Sequence, residues 1–199
     1  MSENDAGEAR DGEGRQPPDA WLAQRVQAGE SAAFEELARR YLRPVYAVVG
    51  SLLRERADVE DAAQETFLRA LDHIRTFDAS RPFAPWLYTI ARNTARNRRK
   101  AASRHRSEPV GSVVVAGDDP DPEQRTEQAE IRSLVATALD ELPDQQRTAF
   151  RMFDIEDYSA QEIATLMGIN AGTVRAHVHH ARRALRERLG PLLGPGADQ

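Results

Sequence analysis

The chain of 199 residues contains no cysteine, so it carries neither a disulfide nor a thiolate metal site, and any redox sensing must reside in a partner. Aromatic residues make up only 6% of it, while Ala, Leu, Arg and Glu are abundant, a balance that favours helices over strands. No stretch approaches the roughly 20 apolar residues of a membrane span. The N-terminal string MSENDAGEARDGEGRQPPD is acidic and Gly/Pro-rich and lacks the apolar core of a signal peptide, so we expect a cytoplasmic protein with no membrane insertion. Also missing are a Gly-rich phosphate loop and any convergent His/carboxylate constellation. No catalytic residue, cofactor or metal is therefore assigned, and enzymatic activity is not expected.

What is present is segregated charge. The net charge of -5 argues against nucleic-acid binding only if it is spread evenly. From Arg92 to Arg106 stand Arg92, Arg96, Arg98, Arg99, Lys100, Arg104 and Arg106, with no acid among them. Between Arg175 and Arg188 there are five arginines against the single Glu187. Acid gathers in the N-terminal tail and between Glu108 and Glu130. Two basic surfaces thus survive on a nominally acidic chain.

The organisation reads as all-α, with two small helical domains joined by a flexible linker. Residues 1–18 are too polar to bury anything and form an expected disordered acidic tail. In the first domain, 19–101, Asp19 is placed to cap a short helix closed by Gly29, and Ser31 to cap the next. Pro44 should kink that helix or start a new one. A third helix, from about Asp58 to Ile74, carries Val59, Ala62, Ala63, Phe67, Ala70, Leu71 and Ile74 on one apolar face. Pro85 suits the first turn of a fourth, from Trp86 to about Lys100. Residues 102–128 have no sustained period and two Asp-Pro steps, and read as the linker. The second domain, 129–190, begins with an amphipathic helix (Ile131, Leu134, Val135, Ala138, Leu139, Leu142) stopped by Pro143; another, from Asp144, carries Phe150 and Phe153. Residues 191–199 form a C-terminal tail.

The strongest local signal runs from Tyr158 to Leu189. Ser159 and Glu162 form a capping box, Ile163, Ala164, Leu166 and Met167 an inner face, and Gly168 a turn needing positive φ. Asn170 caps a longer helix whose inner positions Val174, Val178, Ala181 and Leu185 repeat at four, three and four. This spacing fits a helix-turn-helix. Arg175, His179, Arg182 and Arg186 then share an outward stripe suited to a major groove, with Ala176, His180 and Arg183 beside it. A solvated basic face on an ordinary helical hairpin would look alike, and His177, His179 and His180 could be weighed as metal ligands, although no carboxylate or thiolate completes such a site.

On the fourth helix, Tyr88, Arg92, Arg96 and Arg99 share a face, and an aromatic among arginines suits single-stranded DNA. Asn93 and Asn97 add base-edge donors and acceptors. Trp86 and Tyr88 would equally serve as core residues. On the helix before it, Asp61, Gln64, Glu65, Leu68 and Asp72 oppose the apolar stripe. An exposed leucine among acids is either unremarked surface or a docking point for a basic partner.

The strings DVEDAAQETFLRAL (58–71), FDASRPFAPWLYTIARNTARNRRK (77–100), LDELPDQQRTAF (139–150) and YSAQEIATLMGINAGTVRAHVHHARRALRERL (158–189) together resemble domains two and four of extracytoplasmic-function sigma factors of RNA polymerase. The resemblance implies that 19–101 is a sigma region 2 bundle and 129–190 a sigma region 4 helix-turn-helix. It implies docking of Asp61, Gln64, Glu65 and Leu68 on the clamp helices of the largest polymerase subunit. It further implies capture of unpaired minus-ten bases by the segment holding Phe77, Arg81, Phe83, Trp86, Tyr88, Arg92, Asn93, Arg96 and Arg99. Flipping a base costs a few kcal/mol, which stacking and phosphate contacts must offset. Thr173, Arg175, Ala176, His179, His180, Arg182 and Arg183 would meet the minus-thirty-five duplex, and the helices around Leu142 to Phe153 would hold the polymerase flap. Partners implied are core RNA polymerase, promoter DNA in duplex and single-stranded form, and an inhibitory anti-sigma factor. The sequence departs from the family where His177 and His180 replace a more basic run, which puts promoter preference in doubt.

An autonomous helix-turn-helix regulator would explain the C-terminal half alone. It leaves the Arg92 to Arg106 run and the acidic Leu68 face without a role.

Overall fold

The computed structural model describes residues 16–105 and 133–193, with side chains for 16–102 and 133–190. Most of the expected tail and linker therefore lies outside the described residues. Among those described, every regular element is helical. Four helices build the first unit: α1 (Asp19–Gln27), α2 (Ser31–Leu52), α3 (Arg56–His73) and α4 (Phe83–His105), with a 3-10 turn Ile74–Thr76 after α3. The second holds α5 (133–140), α6 (Asp144–Phe150), a π-helical turn Arg151–Ile155, α7 (Ala160–Met167) and α8 (Ala171–Leu193).

Several local expectations change. Asp19 is the first residue of α1 rather than its cap; the N-cap is Pro18, and the Asp19 carboxylate instead accepts from Arg40 at 3.0 Å and from the Tyr41 hydroxyl, tying α1 to α2. Ser31 likewise sits inside α2, behind Glu30 at the N-cap. Pro44 does not break α2, which runs through it to Leu52. The apolar positions on both sides of it, Leu37, Val45, Val48, Val49 and Leu52, are all buried, and that burial outweighs the one backbone hydrogen bond proline cannot make. Helix α4 extends past the expected linker boundary to His105. Leu71 and Leu134, expected on inward faces, are 42% exposed.

Gly29, at φ +98°, closes α1, and its amide donates to Val26 O. The capping box of α7 forms as expected: Glu162 N donates to Ser159 Oγ at 3.2 Å and Ser159 N to Glu162 Oε2 at 2.8 Å. Gly168, at φ +68°, makes the left-handed turn, and Asn170 Oδ1 accepts from Thr173 N at 2.7 Å to start α8. Val174, Val178, Ala181 and Leu185 are buried.

The two units pack directly on each other. One apolar core joins Leu37, Val48 and Leu87 of the first to Ala149, Met152, Ile163 and Val174 of the second, while a smaller cluster holds Ala138 and Leu142 against Ala181 and Leu185. Within the seam the Ser51 and Thr148 hydroxyls, both buried, share a hydrogen bond of 2.8 Å. Arg151 Nη1 donates to Gly50 O at 2.8 Å, and Arg43 Nη2 to Glu156 O at 2.9 Å.

Candidate nucleic-acid and polymerase interfaces

Helix α8 presents the expected stripe because burial of Val174, Val178, Ala181 and Leu185 fixes its rotation. Arg175, Ala176, His179, His180, Arg182 and Arg183 are exposed, and Thr173 is half-buried at the helix start, its hydroxyl donating to Asn170 Oδ1 at 3.1 Å. Arg182 differs from its neighbours: it pairs with Asp154 through two nitrogens and lies over the Phe153 ring, 5.7 Å from the centroid. Its guanidinium is therefore turned onto the protein. Arg183 leans on Glu187 at 3.6 Å. Half-burial, with the neighbouring His180, pulls the His177 imidazole below its ordinary pKa and favours the neutral ring. Among the described residues no three His, Asp or Glu side chains converge as metal ligands.

Helix α4 divides the expected minus-ten residues. Phe77, Phe83 and Tyr88 are buried at 5%, 3% and 4% exposure. Phe77, Phe83 and the half-buried Trp86 form a three-ring cluster with centroids 5.0 to 5.4 Å apart, which Tyr41 joins through Phe83. The rings pack edge-on and tilted against one another, and burying a large aromatic contributes more than leaving it open to solvent. The cluster instead anchors the loop before α4, where Gln27 Nε2 donates to the carbonyls of Ile74 and Phe77, both at 2.8 Å. Asp78 Oδ1 accepts from Ser80 N at 3.0 Å and Ser80 Oγ at 2.7 Å, a turn that leaves Arg81 exposed. Asn93 and Arg96 are exposed on α4; Arg92 and Arg99 are half-buried, with the Arg92 guanidinium 5.8 Å from the Tyr88 ring centroid. Arg96 and Arg99 both reach Asp144 of α6, at 3.2 and 3.0 Å.

On α3, Asp61, Gln64 and Leu68 are exposed and Glu65 is half-buried. Burial works against the Glu65 carboxylate, but hydrogen bonds from Arg98 and Arg69 hold its pKa below the usual range. Leu68, at 57% exposure, is not alone. It belongs to an apolar groove between α2 and α3 lined by Phe34, Leu42, Gln64, Phe67 and Leu71. Sequence reasoning missed Leu42 and Leu71, because each falls at helical spacing from buried neighbours. Only the packing of α2 against α3 shows that both lie on the rim.

Two family models match the chain: Sigma-70 region 2 over residues 37–105, and Sigma-70, region 4 over residues 132–185. The RNA polymerase sigma-H factor of Pseudomonas aeruginosa is 33% identical over 190 residues, covering 89% of this chain and 97% of its own length. The ECF RNA polymerase sigma-E factor of Haemophilus influenzae is also 33% identical, with 88% and 97% covered, and that of Escherichia coli K12 is 32% identical, with 88% and 96% covered. Among solved structures, CnrH in complex with the cytosolic domain of CnrY matches with a TM-score of 0.56 at 24% identity, over 87% of this chain and 97% of that one, and it supports the fold. Helix α4 and the larger part of α8 fall inside the matched regions, and relatives of this identity span nearly the whole chain. The chain belongs to the extracytoplasmic-function family of RNA polymerase sigma factors.

Proposed function

We propose that this sigma factor divides its work among the three surfaces described above. The α2–α3 groove, with Leu68 at its centre and Asp61, Gln64 and Glu65 beside it, docks the clamp helices of core polymerase. The α4 face and the loop before it, through Arg81, Trp86, Arg92, Asn93, Arg96 and Arg99, hold the unpaired minus-ten strand. Phe77, Phe83 and Tyr88 support that loop and helix from the core. Helix α8 enters the major groove of the minus-thirty-five element with Arg175, Ala176, His179 and His180 toward base edges, and with Thr173 and Arg183 toward phosphates. Arg182 reaches phosphate only after leaving Asp154. The segment from Leu142 to Phe153 meets the polymerase flap.

The observation that carries this reading is the pair of cationic helix faces, α4 and α8, on a chain that also exposes an apolar, acid-flanked groove. A lone duplex-binding regulator has no use for the first or the third. Chemistry stays with the polymerase, in the cytoplasm. An anti-sigma protein that covers the same groove is the expected inhibitor, since a single occupant there excludes polymerase. No helix among the described residues is long and apolar enough to cross a membrane.

The test is gel filtration of the chain with core polymerase, followed by a shift assay on forked DNA carrying a duplex upstream arm and a single-stranded downstream arm. The reading expects a stable complex that retains the fork better than either component does. A chain that elutes free of the core enzyme would refute it.

A further inference from the structure

Helix α1 belongs to none of the surfaces assigned above, yet its last residue, Gln27, reaches into one of them. The backbone at that point is fixed by a Schellman turn. Glu30 N donates to Arg25 O at 3.0 Å and Gly29 N to Val26 O at 2.9 Å, while Leu22, Ala23 and Val26 are buried on the inner face of the helix. A half-buried side chain rooted there has a set direction and a set reach. That of Gln27 crosses to the segment between α3 and α4, where Nε2 donates to Ile74 O and Phe77 O, both at 2.8 Å. Both neighbours are acceptors only, so the amide must present its nitrogen to them, and its two hydrogens are both used.

The two carbonyls bracket the 3-10 turn Ile74–Thr76, which closes with Phe77 N on Ile74 O at 3.1 Å. Beyond Phe77 the chain enters the loop that leaves Arg81 exposed. That loop shapes itself from within: Arg81 N donates to Asp78 O at 2.9 Å, and Ser80 N and Oγ donate to Asp78 Oδ1. Internal contacts give a loop its form but not its place on the protein. At its far end the place is set by the start of α4 and the buried Phe83. At its near end it is set by the Phe77 ring and by Gln27. Apolar burial of a ring is non-directional and tolerates tilt, whereas two hydrogen bonds from one nitrogen fix where both carbonyls point. Gln27 is thus the directional tie at the entry to the loop.

We propose that Gln27 is a positioning residue for minus-ten capture: from α1 it fixes the backbone path of residues 77–82, so that the loop already has its binding shape when an unpaired base arrives. This rests on the function assigned above, which gives that loop to the melted strand. Gln27 itself touches no DNA. Its effect is on the fraction of molecules whose loop is competent, and apparent affinity falls in proportion to that fraction. Helix α1 is then a working part of strand capture and not only a brace for α2.

Three substitutions separate positioning from simple packing. Gln27→Leu removes both donors, Gln27→Glu keeps the shape but sets a carboxylate against two carbonyl oxygens, and Gln27→Lys restores donors on a slightly longer stem. Each chain is assembled with core polymerase and titrated onto forked DNA that has a duplex upstream arm and a single-stranded downstream arm carrying 2-aminopurine in the minus-ten region. The Leu and Glu variants should bind the fork roughly five- to thirtyfold more weakly, the scale of two lost hydrogen bonds, and show a smaller emission change at saturation. The Lys variant should recover most of both. Co-elution with core enzyme and binding of a duplex fragment with the upstream element alone should match wild type for all three. In the Leu variant, amide hydrogen exchange should speed up over residues 74–82 while α2 and α3 keep their protection. Wild-type fork binding by the Leu and Glu variants would overturn the proposal. So would a Lys variant as impaired as Leu, or a parallel loss of core and upstream-duplex binding, which marks general unfolding. A wild-type holoenzyme that ignores the single-stranded arm would instead sink the functional assignment, before any variant is compared.

Discussion

The Arg98 guanidinium on α4 donates to Glu65 Oε2 on α3 at 3.1 Å. A second nitrogen of Arg98 donates to Asp61 Oδ2 at 3.2 Å. One residue of the basic helix is therefore committed to orienting the acids of the docking face, as Arg96 and Arg99 are committed to Asp144 of α6.

Replacing Asp61 and Glu65 together by Lys should abolish co-purification with core polymerase while leaving helicity by circular dichroism intact. Because reversal also deprives Arg98 and Arg69 of acceptors, Leu68→Ala is the companion variant. Leu68 is exposed, so its loss should change stability by no more than about 0.5 kcal/mol and yet weaken the polymerase complex. Normal retention of core enzyme by both variants would remove the docking assignment.

Arg175 is exposed on the first turns of α8 and, among the described residues, takes part in none of the ion pairs that hold Arg182 and Arg183. Arg175→Ala should cost about 1–3 kcal/mol of minus-thirty-five recognition and relax base preference at that position. Run-off transcription across a set of upstream-element variants measures it; unchanged promoter choice would place Arg175 outside the groove.

The helix-turn-helix was legible in the sequence almost residue by residue because its signals are local. The Ser159–Glu162 box, the positive-φ Gly168 and the Asn170 cap each act within a few residues, and all three form. The caps expected at Asp19 and Ser31 failed for the opposite reason. Asp19 had a better partner in Arg40, 21 residues away, which no local pattern reveals. The same limit hid the Leu42–Leu71 rim of the groove and the burial of Phe77 and Phe83, and left Tyr88 open between core and surface, since helical spacing ranks faces but does not say which neighbouring helix covers them. Asp144 gave no signal as a partner of Arg96 and Arg99, because that contact exists only once the two units meet.

Gly168→Ala should destabilise the protein by roughly 1–2 kcal/mol, since φ +68° disfavours any side chain. At about 2–4 °C per kcal/mol for a chain of this size, thermal unfolding should drop by several degrees. The added Cβ would also press on Pro85, so the loss should exceed that of Gly190→Ala, where open space surrounds the new methyl. Equal effects of the two substitutions would argue against the turn as drawn.

Acid should weaken the second unit through His177. Its folded pKa lies below the ordinary value near 6.5, so as pH falls through that value the unfolded chain takes up the proton first and stability declines until the folded ring also protonates. Thermal melts between about pH 7 and pH 5 should therefore fall less steeply for His177→Gln than for wild type. Parallel slopes would show that the ring titrates as it does in water.

The most direct measurement is transcription reconstituted from purified core polymerase and this chain on genomic DNA, with no inhibitor present and the 5′ ends of the products sequenced. The account predicts a limited set of start sites, each preceded by two conserved elements about 25 base pairs apart, with base preference in the upstream one relaxed in Arg175→Ala. Products no different from those of core enzyme alone would contradict it.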